Sequence, residues 1–249
     1  EKSLADDLRK ITDYIGERNP SSAAAARGLD QVSAMIEGSL GPSNTGFSVQ
    51  RTIGPLRWPI LHCSLPGSQP SSPAIWVVAS YDSPRGAVGI EANASGLAAT
   101  IAAAQAVAGD TPARPLHFVF IPHDNDPESP VEDTTAILHR LIVSRGPTHL
   151  VVSVDAMGAR SEIQLSAPDP SHIPLKEAAG LAEITDKLDD PNARLLVTRL
   201  AAKNLPAVRI STRPPTAPDE AAPPIPNPTN MAAASGRLVE LIRRCASAP

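Results

Sequence analysis

A chain of 249 residues with 42% hydrophobic side chains can bury a substantial core, as one large domain or two small ones. Aromatic residues make up only 3% of the chain, so that core must consist mainly of Ala, Val, Leu and Ile. The formal net charge of −4 and the lack of a basic stripe in the sequence argue against a nucleic-acid partner and against an anionic membrane surface.

The first third of the chain is predicted to contain two helices followed by two strands. Apolar residues at helical spacing indicate a helix over 3–18 and a second, serine-capped helix that ends at Gly41. The next segments predict strands over 47–53 and 56–65, joined by a Gly-Pro turn. Pro59 lies inside the second segment, which favours an edge strand or a bulge.

The middle of the chain is predicted to hold three buried strands with helices between them. Apolar runs predict these strands at 74–78, 116–121 and 149–154. An alanine-rich helix is predicted at 97–107, with Asn93 as its N-cap. A second helix starts in Ser129-Pro-Val-Glu132 and ends at Gly146. Loops between such strands and helices lie at the carboxyl edge of an α/β sheet, where active sites commonly form.

The last third of the chain continues the alternation of strands and helices. Its predicted elements are a short strand at 162–166, a weak helix at 175–184, a clearer helix at 190–204 and a strand at 207–211. A proline-rich loop over 212–230 leads into the last helix, for which Asn230 is the predicted N-cap. The alternation predicts a three-layer α/β fold: a mixed, mostly parallel central sheet with helices on both faces. We expect 1–249 to form this single domain.

The start of the sequence and its two cysteines carry further expectations. The sequence begins with Glu1 rather than Met, so we expect an upstream signal peptide or membrane anchor to have been removed. No apolar run within the chain approaches the roughly 20 residues that span a bilayer, so such an anchor would lie outside it. Cys63 and Cys245 are far apart and lack metal-type spacing, and we expect two buried thiols rather than a disulfide.

The chain resembles the co-catalytic di-zinc exopeptidases, typified by bacterial leucyl aminopeptidases and glutamate carboxypeptidase-like domains. The resemblance rests on segments that follow one another in the family's order, among them Arg57-Trp-Pro-Ile60, Asn93-Ala-Ser-Gly96, Val154-Asp155-Ala-Met-Gly158 and Pro206-Ala-Val-Arg209. It runs almost from end to end of the chain. It implies the family's three-layer fold and an extracytoplasmic location, as a periplasmic, secreted or membrane-anchored protein.

The resemblance also implies where two zinc ions would lie. Active members hold the ions about 3.5–4 Å apart, bridged by a carboxylate and by the water that becomes the nucleophile. The family's first histidine ligand falls at Ser80, whose neutral hydroxyl is a poor zinc ligand. The aspartate that orients this histidine is retained as Asp82, and without the histidine it has nothing to orient. The bridging aspartate falls at Ala92, and Glu91 beside it replaces a residue that is not a ligand.

The remaining family positions are mostly lost as well. The general base falls at Asp124, and the glutamate ligand that follows it falls at Asn125, a neutral and weak donor. Asp155 matches a ligand position and is intact. The last histidine should lie between Arg209 and the final helix, a stretch of sequence that contains no histidine. Asp155 is therefore the only matching ligand, and we expect neither zinc nor another cofactor to be bound.

Three hypotheses about function follow. The favoured one is a catalytically silent relative of the zinc aminopeptidases that binds a peptide or protein partner. The alternative is a metal-dependent hydrolase with an altered single-metal site, in which Asp124 is the base and Asp155 a ligand. A relocated metal site would use His123 and the acidic residues after it, Asp124, Asp126, Glu128, Glu132 and Asp133. A solvated loop with helix caps is the preferred interpretation of that segment, because it has proline where cation-binding loops have glycine.

Overall fold

A computed structural model describes residues 2–185, 188, 190, 192–213 and 226–247. The side chains of Lys2, Glu91 and Ala92 lie outside this description, so the predictions for Glu91 and Ala92 concern side chains that are not described. Most of the proline-rich loop predicted at 212–230 lies outside the described residues too.

Among the described residues, eight strands form one mixed sheet. In chain order they are β1 Gln50–Thr52, β2 Ile60–Leu65, β3 Ala74–Ser80, β4 Leu116–Ile121, β5 Thr148–Val154, β6 Ile163–Ser166, β7 Ala182–Ile184 and β8 Ala207–Ser211. Across the sheet their order is β1-β2-β4-β3-β5-β8-β6-β7. The four central strands β4, β3, β5 and β8 run parallel, and β2 and β6 flank them antiparallel. This confirms the predicted mixed, mostly parallel sheet.

Helices cover both faces of the sheet. Those of the described residues are α1 Lys2–Arg9, α2 Ala23–Leu40, α3 Ser95–Val107, α4 Val131–Ser144, α5 Leu175–Ala178, α6 Leu196–Ala201 and α7 Pro228–Ser247. One core cluster joins one sheet face to α2, α3 and α7 through residues such as Leu29, Leu97 and Leu238. A second cluster joins the other face to α4 and α6 through Leu138 and Leu200. The predicted three-layer architecture is therefore confirmed.

Continuous burial explains why the central strands were predictable from sequence. Every residue of β3 and of β4 is buried, as expected for parallel strands that are covered by helices on both faces. Their apolar runs cannot alternate with polar residues, because neither face meets water. The predicted strand at 116–121 coincides with β4, and the run predicted at 74–78 is the greater part of β3.

The region around Pro59 differs from the prediction. Residues Pro55–Arg57 form a 3₁₀ turn in which Leu56 and Arg57 take left-handed φ values of 50° and 77°. The strand β2 begins only at Ile60, so Pro59 lies ahead of it and does not interrupt its hydrogen bonds. The prediction of an edge strand or bulge was wrong, since β2 pairs with β1 on one side and with β4 on the other.

Two helices predicted in the last third are shorter than expected. The weak helix at 175–184 ends at Ala178, and Gly180, with a left-handed φ of 74°, turns the chain into β7. The helix predicted at 190–204 is limited to Leu196–Ala201. The carboxylate of Asp190 accepts the backbone N–H groups of Arg194 and Leu195 at 3.1 and 2.8 Å, directly ahead of α6.

The N-cap of the last helix is Asn227 rather than the predicted Asn230. The Oδ1 atom of Asn227 accepts the backbone N–H groups of Thr229 and Asn230 at 2.9 and 3.2 Å, as an N-cap side chain does. Asn230 lies inside the first turn of α7. The prediction was wrong by three positions because proline at the first helical position, here Pro228, marks the true start.

Both cysteines agree with the expectation from sequence. Cys63 and Cys245 are buried and free. Burial raises the pKa of each thiol to about 12, so both stay protonated and behave as small apolar side chains. In the part of the chain that the structure describes, no helix combines the length and the apolar character needed to cross a bilayer.

A buried pair of histidines lies on the sheet face that holds Trp76. His62 Nε2 and His117 Nδ1 are 2.9 Å apart, and the rings of Trp76 and His117 stack with centroids 4.0 Å apart. Burial lowers the pKa of His62 to about 4 and that of His117 to about 3, and the nearby Arg145 acts in the same direction. Both rings are therefore neutral in the folded chain at neutral pH.

Acidification should destabilise the fold through this pair. The unfolded histidines titrate near 6.5, so below that pH the unfolded state binds more protons than the folded state. We expect the free energy of unfolding to fall by about 1.4 kcal/mol per pH unit for each histidine, from about pH 6.5 down to the folded pKa. Urea unfolding between neutral pH and about pH 4.5 measures this slope.

His117→Phe keeps a ring against Trp76 and should remove about one histidine's share of the slope. Equal slopes in the wild type and His117→Phe would show that the buried pair is not the source of the acid sensitivity.

Candidate functional site

The predicted site residues meet at one edge of the sheet. Ser80 is the last residue of β3, Asp124 and Asn125 follow β4, and Asp155 follows β5 directly. Because β3, β4, β5 and β8 are parallel neighbours, their carboxyl ends lie side by side. This is the position where ligands bind in open α/β sheets.

Asp82 is the hydrogen-bonding centre of this edge. It is fully buried, and its Oδ2 atom accepts the backbone N–H groups of Asp124, Asn125 and Asp126 at 2.9, 2.8 and 3.2 Å. Burial raises the pKa of Asp82, and these N–H donors oppose the rise because they favour the carboxylate. Asp82 therefore fixes the backbone of the loop after β4, a role that needs no histidine and no metal.

Ser80 and Asn125 bond to each other. The Asn125 Nδ2 group donates to Ser80 Oγ at 2.6 Å and to Asp82 Oδ1 at 3.1 Å. The two positions that the resemblance matches to a histidine and a carboxylate ligand thus hold a hydroxyl and an amide that hydrogen-bond to each other. Neither group carries a charge that would attract Zn²⁺.

Asp124 forms an ion pair with Arg199 of α6. The guanidinium Nη2 contacts Asp124 Oδ1, and its Nε donates to Thr135 Oγ1 at 3.1 Å. Both side chains are largely buried, with 4% of Arg199 and 14% of Asp124 exposed. Burial raises the pKa of Asp124 to about 7, and the guanidinium opposes the rise. The positive charge of Arg199 thus favours the ionised carboxylate at neutral pH.

Asp155 forms a second ion pair, with Arg209 of β8. The Arg209 Nε contacts Asp155 Oδ2, and its Nη1 donates to the Arg213 carbonyl at 3.2 Å. The Arg209 side chain is 6% exposed and that of Asp155 is 22% exposed. Asp155, which the resemblance matches to a zinc ligand, is therefore paired with a cation of the chain itself.

His123 is buried beside this edge, but it does not complete a metal site. Its ring lies edge-on to Trp58 with the centroids 5.8 Å apart, and neither ring nitrogen has a well-aligned hydrogen bond. Burial lowers the pKa of His123, which the negative charge of Asp82 opposes. In the described ranges, no three His, Cys, Asp or Glu side chains are placed to hold a metal ion.

The acidic side chains after His123 form hydrogen bonds and ion pairs with nearby residues. Asp126 is fully buried, and both of its carboxylate oxygens accept from Arg85 Nε at 3.0 Å. Its Oδ2 atom also accepts from Ser129 Oγ at 2.7 Å. Glu128 also contacts Arg85. Glu132 and Asp133 lie in the first turn of α4, where acidic side chains favour the helix dipole. The loop is thus partly buried, unlike the solvated loop that we expected, and Ser129 bonds to Asp126 and does not cap α4.

Asn93 is not the N-cap that the sequence predicted. It lies inside a π-helical turn, Ile90–Ala94, that runs into α3, and its side chain points into the protein. Its Nδ2 donates to the Asp82 carbonyl, and its Oδ1 accepts from Arg18 at 3.3 Å. Asn93 therefore ties the start of α3 to the loop after β3, which is why it is buried although capping residues are normally exposed.

Arg18 is a site residue that sequence reasoning missed. It is fully buried beneath the loop after β3, and its backbone N–H donates to Ser83 Oγ at 2.9 Å. Its guanidinium also donates to three carbonyl oxygens, those of Tyr81 at 2.9 Å, Ile11 at 3.2 Å and Gly16 at 2.5 Å. Burial lowers the pKa of Arg18 to about 10, and the negative charge of Asp82 opposes this. No local pattern marks Arg18 in the sequence, since its partners lie mostly far along the chain.

Gly96 allows α3 to approach the site closely. A Cβ atom at this position would lie 2.0 Å from the Asp155 carbonyl oxygen. Gly96→Ala should therefore force the helix away from β5 and destabilise the fold by about 1–3 kcal/mol. Gly236→Ala, in α7 with open space around it, is the matched control and should stabilise by about 0.5–1 kcal/mol. Urea unfolding of both variants measures the difference, and equal effects would contradict the close approach.

Comparisons with known proteins identify the fold of the chain but not its activity. No family model and no curated protein matches the sequence. The LapA aminopeptidase of Legionella pneumophila is 17% identical, with a TM-score of 0.75 over 100% of this chain and 71% of its own. BSAP, a zinc aminopeptidase from Bacillus subtilis, is 9% identical, with a TM-score of 0.76 over 100% of this chain and 95% of its own. A glutaminyl cyclase from Bacteroides thetaiotaomicron is 17% identical, with a TM-score of 0.66 over 97% of each chain.

These neighbours confirm the predicted zinc aminopeptidase fold. Their identities are too low to carry an activity over, and the same fold holds both aminopeptidases and glutaminyl cyclases. Function must therefore be argued from the site itself.

Proposed function

We propose that the chain is an aminopeptidase-like domain that does not act as a zinc peptidase and that serves as a binding module for a peptide or protein partner. The observation that carries this proposal is the pairing of Asp124 with Arg199 and of Asp155 with Arg209. A general base and a metal ligand need carboxylates that are free to take a proton or a metal ion. Both carboxylates here are held by guanidinium groups instead.

The rest of the site supports the same proposal. Ser80 and Asn125, which the resemblance matches to zinc-ligand positions, hydrogen-bond to each other. Asp82 accepts hydrogen bonds from backbone N–H groups. The residues present do not fit a pair of zinc ions, and we propose that no cofactor is needed. From the resemblance we further propose an extracytoplasmic location, with any membrane anchor outside this chain and no nucleic-acid partner.

The alternative proposal is a hydrolase with a single metal ion. It is supported by the pKa of Asp124, about 7, which suits a general base at neutral pH. It also requires Asp155 to bind the metal and Arg209 to release it. Fold alone does not choose between a binding module and an enzyme.

Peptide turnover and peptide binding separate the two proposals. The chain is assayed on a panel of aminoacyl and peptidyl substrates with added zinc, manganese or cobalt, alongside Asp124→Asn and Asp155→Asn. We expect no metal-dependent turnover above that of the variants. Binding is then measured on a library of short peptides with free and with acetylated N-termini. Turnover that disappears in both variants would establish the hydrolase instead.

A further inference from the structure

We infer that Arg199 and Arg209 stand in for metal ions at this site, as built-in cations that neutralise the Asp124 and Asp155 carboxylates. The inference deepens the proposed function and rests on it, because it states how an aminopeptidase-like site keeps its shape without zinc. It assigns a role to two arginines whose importance the sequence pattern does not show.

Each arginine is fixed in place by groups other than its carboxylate. Arg199 donates through Nη1 to the carbonyls of Ala193 and Arg194 at 3.3 and 2.5 Å, and through Nε to Thr135. The donors of its planar fork are thus spread over several partners and also reach Asp124. Such an arginine cannot swing aside to admit a cation without giving up its hydrogen bonds to Thr135 and to the two carbonyl groups.

Arg209 is anchored in a different way. It belongs to β8, and its neighbour Ile210 pairs with Val154 of β5, so the backbones of the two strands fix the distance to Asp155. Its side chain also donates to the carbonyl of Arg213. The two arginines come from different elements, yet each ends on one of the two carboxylates that the family's chemistry would use.

Three carboxyl groups among the described side chains at this edge lie near a guanidinium of the chain. They are Asp82, Asp124 and Asp155, and the guanidiniums are those of Arg18, Arg199 and Arg209. His123, also at this edge, is a buried ring whose pKa is lowered by burial. A divalent cation would add two uncompensated positive charges beside two fixed guanidiniums. The two guanidiniums therefore oppose the binding of a divalent cation beside Asp124 and Asp155.

Thermal unfolding of charge-pair variants tests the inference. Arg199→Met removes the guanidinium that favours the ionised form of the largely buried Asp124, and we expect the Tm to fall by about 5–10 °C. The double variant Asp124→Asn/Arg199→Met removes both charges and should recover at least half of that loss. Arg243→Met breaks the exposed ion pair with Asp110, far along the chain from this site, and should change the Tm by no more than about 2 °C.

The response to zinc distinguishes a metal stand-in from a merely structural arginine. Excess zinc should leave the Tm of the wild type unchanged and raise that of Arg199→Met/Arg209→Met by roughly 2–4 °C, because two carboxylates become available. If this double variant does not fold, Arg209→Met with Asp155 retained is measured in its place. Equal zinc responses of wild type and variant would overturn the inference.

Failure of the inference differs from failure of the proposed function. If neither the wild type nor the arginine variants bind zinc, the inference that the arginines stand in for metal ions is wrong. The proposal of a binding module is then unaffected. Peptide turnover removes the proposed function, whatever the thermal shifts show.

Discussion

Replacing Asp82 by Ala is expected to lower the free energy of unfolding by about 3–5 kcal/mol. The carboxylate is fully buried and accepts three backbone N–H groups from the loop after β4. Alanine leaves these N–H groups without their acceptor and removes one of the two acceptors of the Asn125 amide, which keeps Ser80 Oγ. Each unpaired buried donor costs about 1–3 kcal/mol, and the effects do not add fully because the loop can relax. Urea unfolding at neutral pH measures the loss.

Asp82→Asn is the matched control for this variant. It keeps one acceptor oxygen for the backbone N–H groups and the same side-chain shape, but it turns an amide donor toward the Asn125 amide. We expect the free energy of unfolding of Asp82→Asn to lie between that of the wild type and that of Asp82→Ala. If Asp82→Ala were as stable as the wild type, the claim that Asp82 organises this edge would fail.

Replacing Arg18 by Met is expected to destabilise the fold by about 3–5 kcal/mol. Methionine fills much of the same volume but removes the Arg18 donors of the Gly16 and Tyr81 carbonyls and one of the two donors of the Ile11 carbonyl, which keeps the Gly16 N–H. It also removes the positive charge that acts on the buried Asp82. Far-ultraviolet circular dichroism in urea gives the change in free energy.

Arg27→Met on the exposed face of α2 is the control for Arg18→Met and should stay within about 0.5 kcal/mol of the wild type. If both arginine variants lost the same small amount, Arg18 would be a solvated side chain in solution. Its proposed support of the loop after β3 would then be wrong.

Much of the fold follows from local sequence. The strands β3 and β4 are continuous apolar runs, and Pro130 just before α4 and Glu132 in its first turn mark the start of that helix, so short-range patterns suffice. The order of segments across the whole chain then identified the zinc aminopeptidase fold. Short elements such as β7 were mistaken for helix, because three residues carry too little periodicity to decide between the two.

The content of the site followed from sequence only in part. Ser80, Asp124, Asn125 and Asp155 were placed together correctly, since topology brings the ends of parallel strands to one edge. Their partners were not found. Arg199 lies 75 positions from Asp124 and Arg209 lies 54 from Asp155, and no spacing rule connects residues so distant. An arginine within a buried strand, as Arg209 is in β8, was the one available signal, because such a residue requires a charged partner.

The strength of charge–charge interactions explains why Arg199 and Arg209 oppose zinc binding at Asp124 and Asp155. Two unit charges 4 Å apart interact by about 4 kcal/mol at an effective dielectric constant of about 20. A Zn²⁺ ion at that distance from one guanidinium would be repelled by roughly twice as much. Replacing an arginine–carboxylate pair by a zinc–carboxylate contact therefore requires the arginine to leave, and its other hydrogen bonds oppose that movement.

The most direct test of the account is the zinc content of the chain after purification without chelators and dialysis against zinc-containing buffer. Elemental analysis should find well below one tightly bound zinc ion per chain, and the Tm should be the same with and without a chelator. Two tightly bound zinc ions per chain, lost together with thermal stability on addition of the chelator, would contradict it.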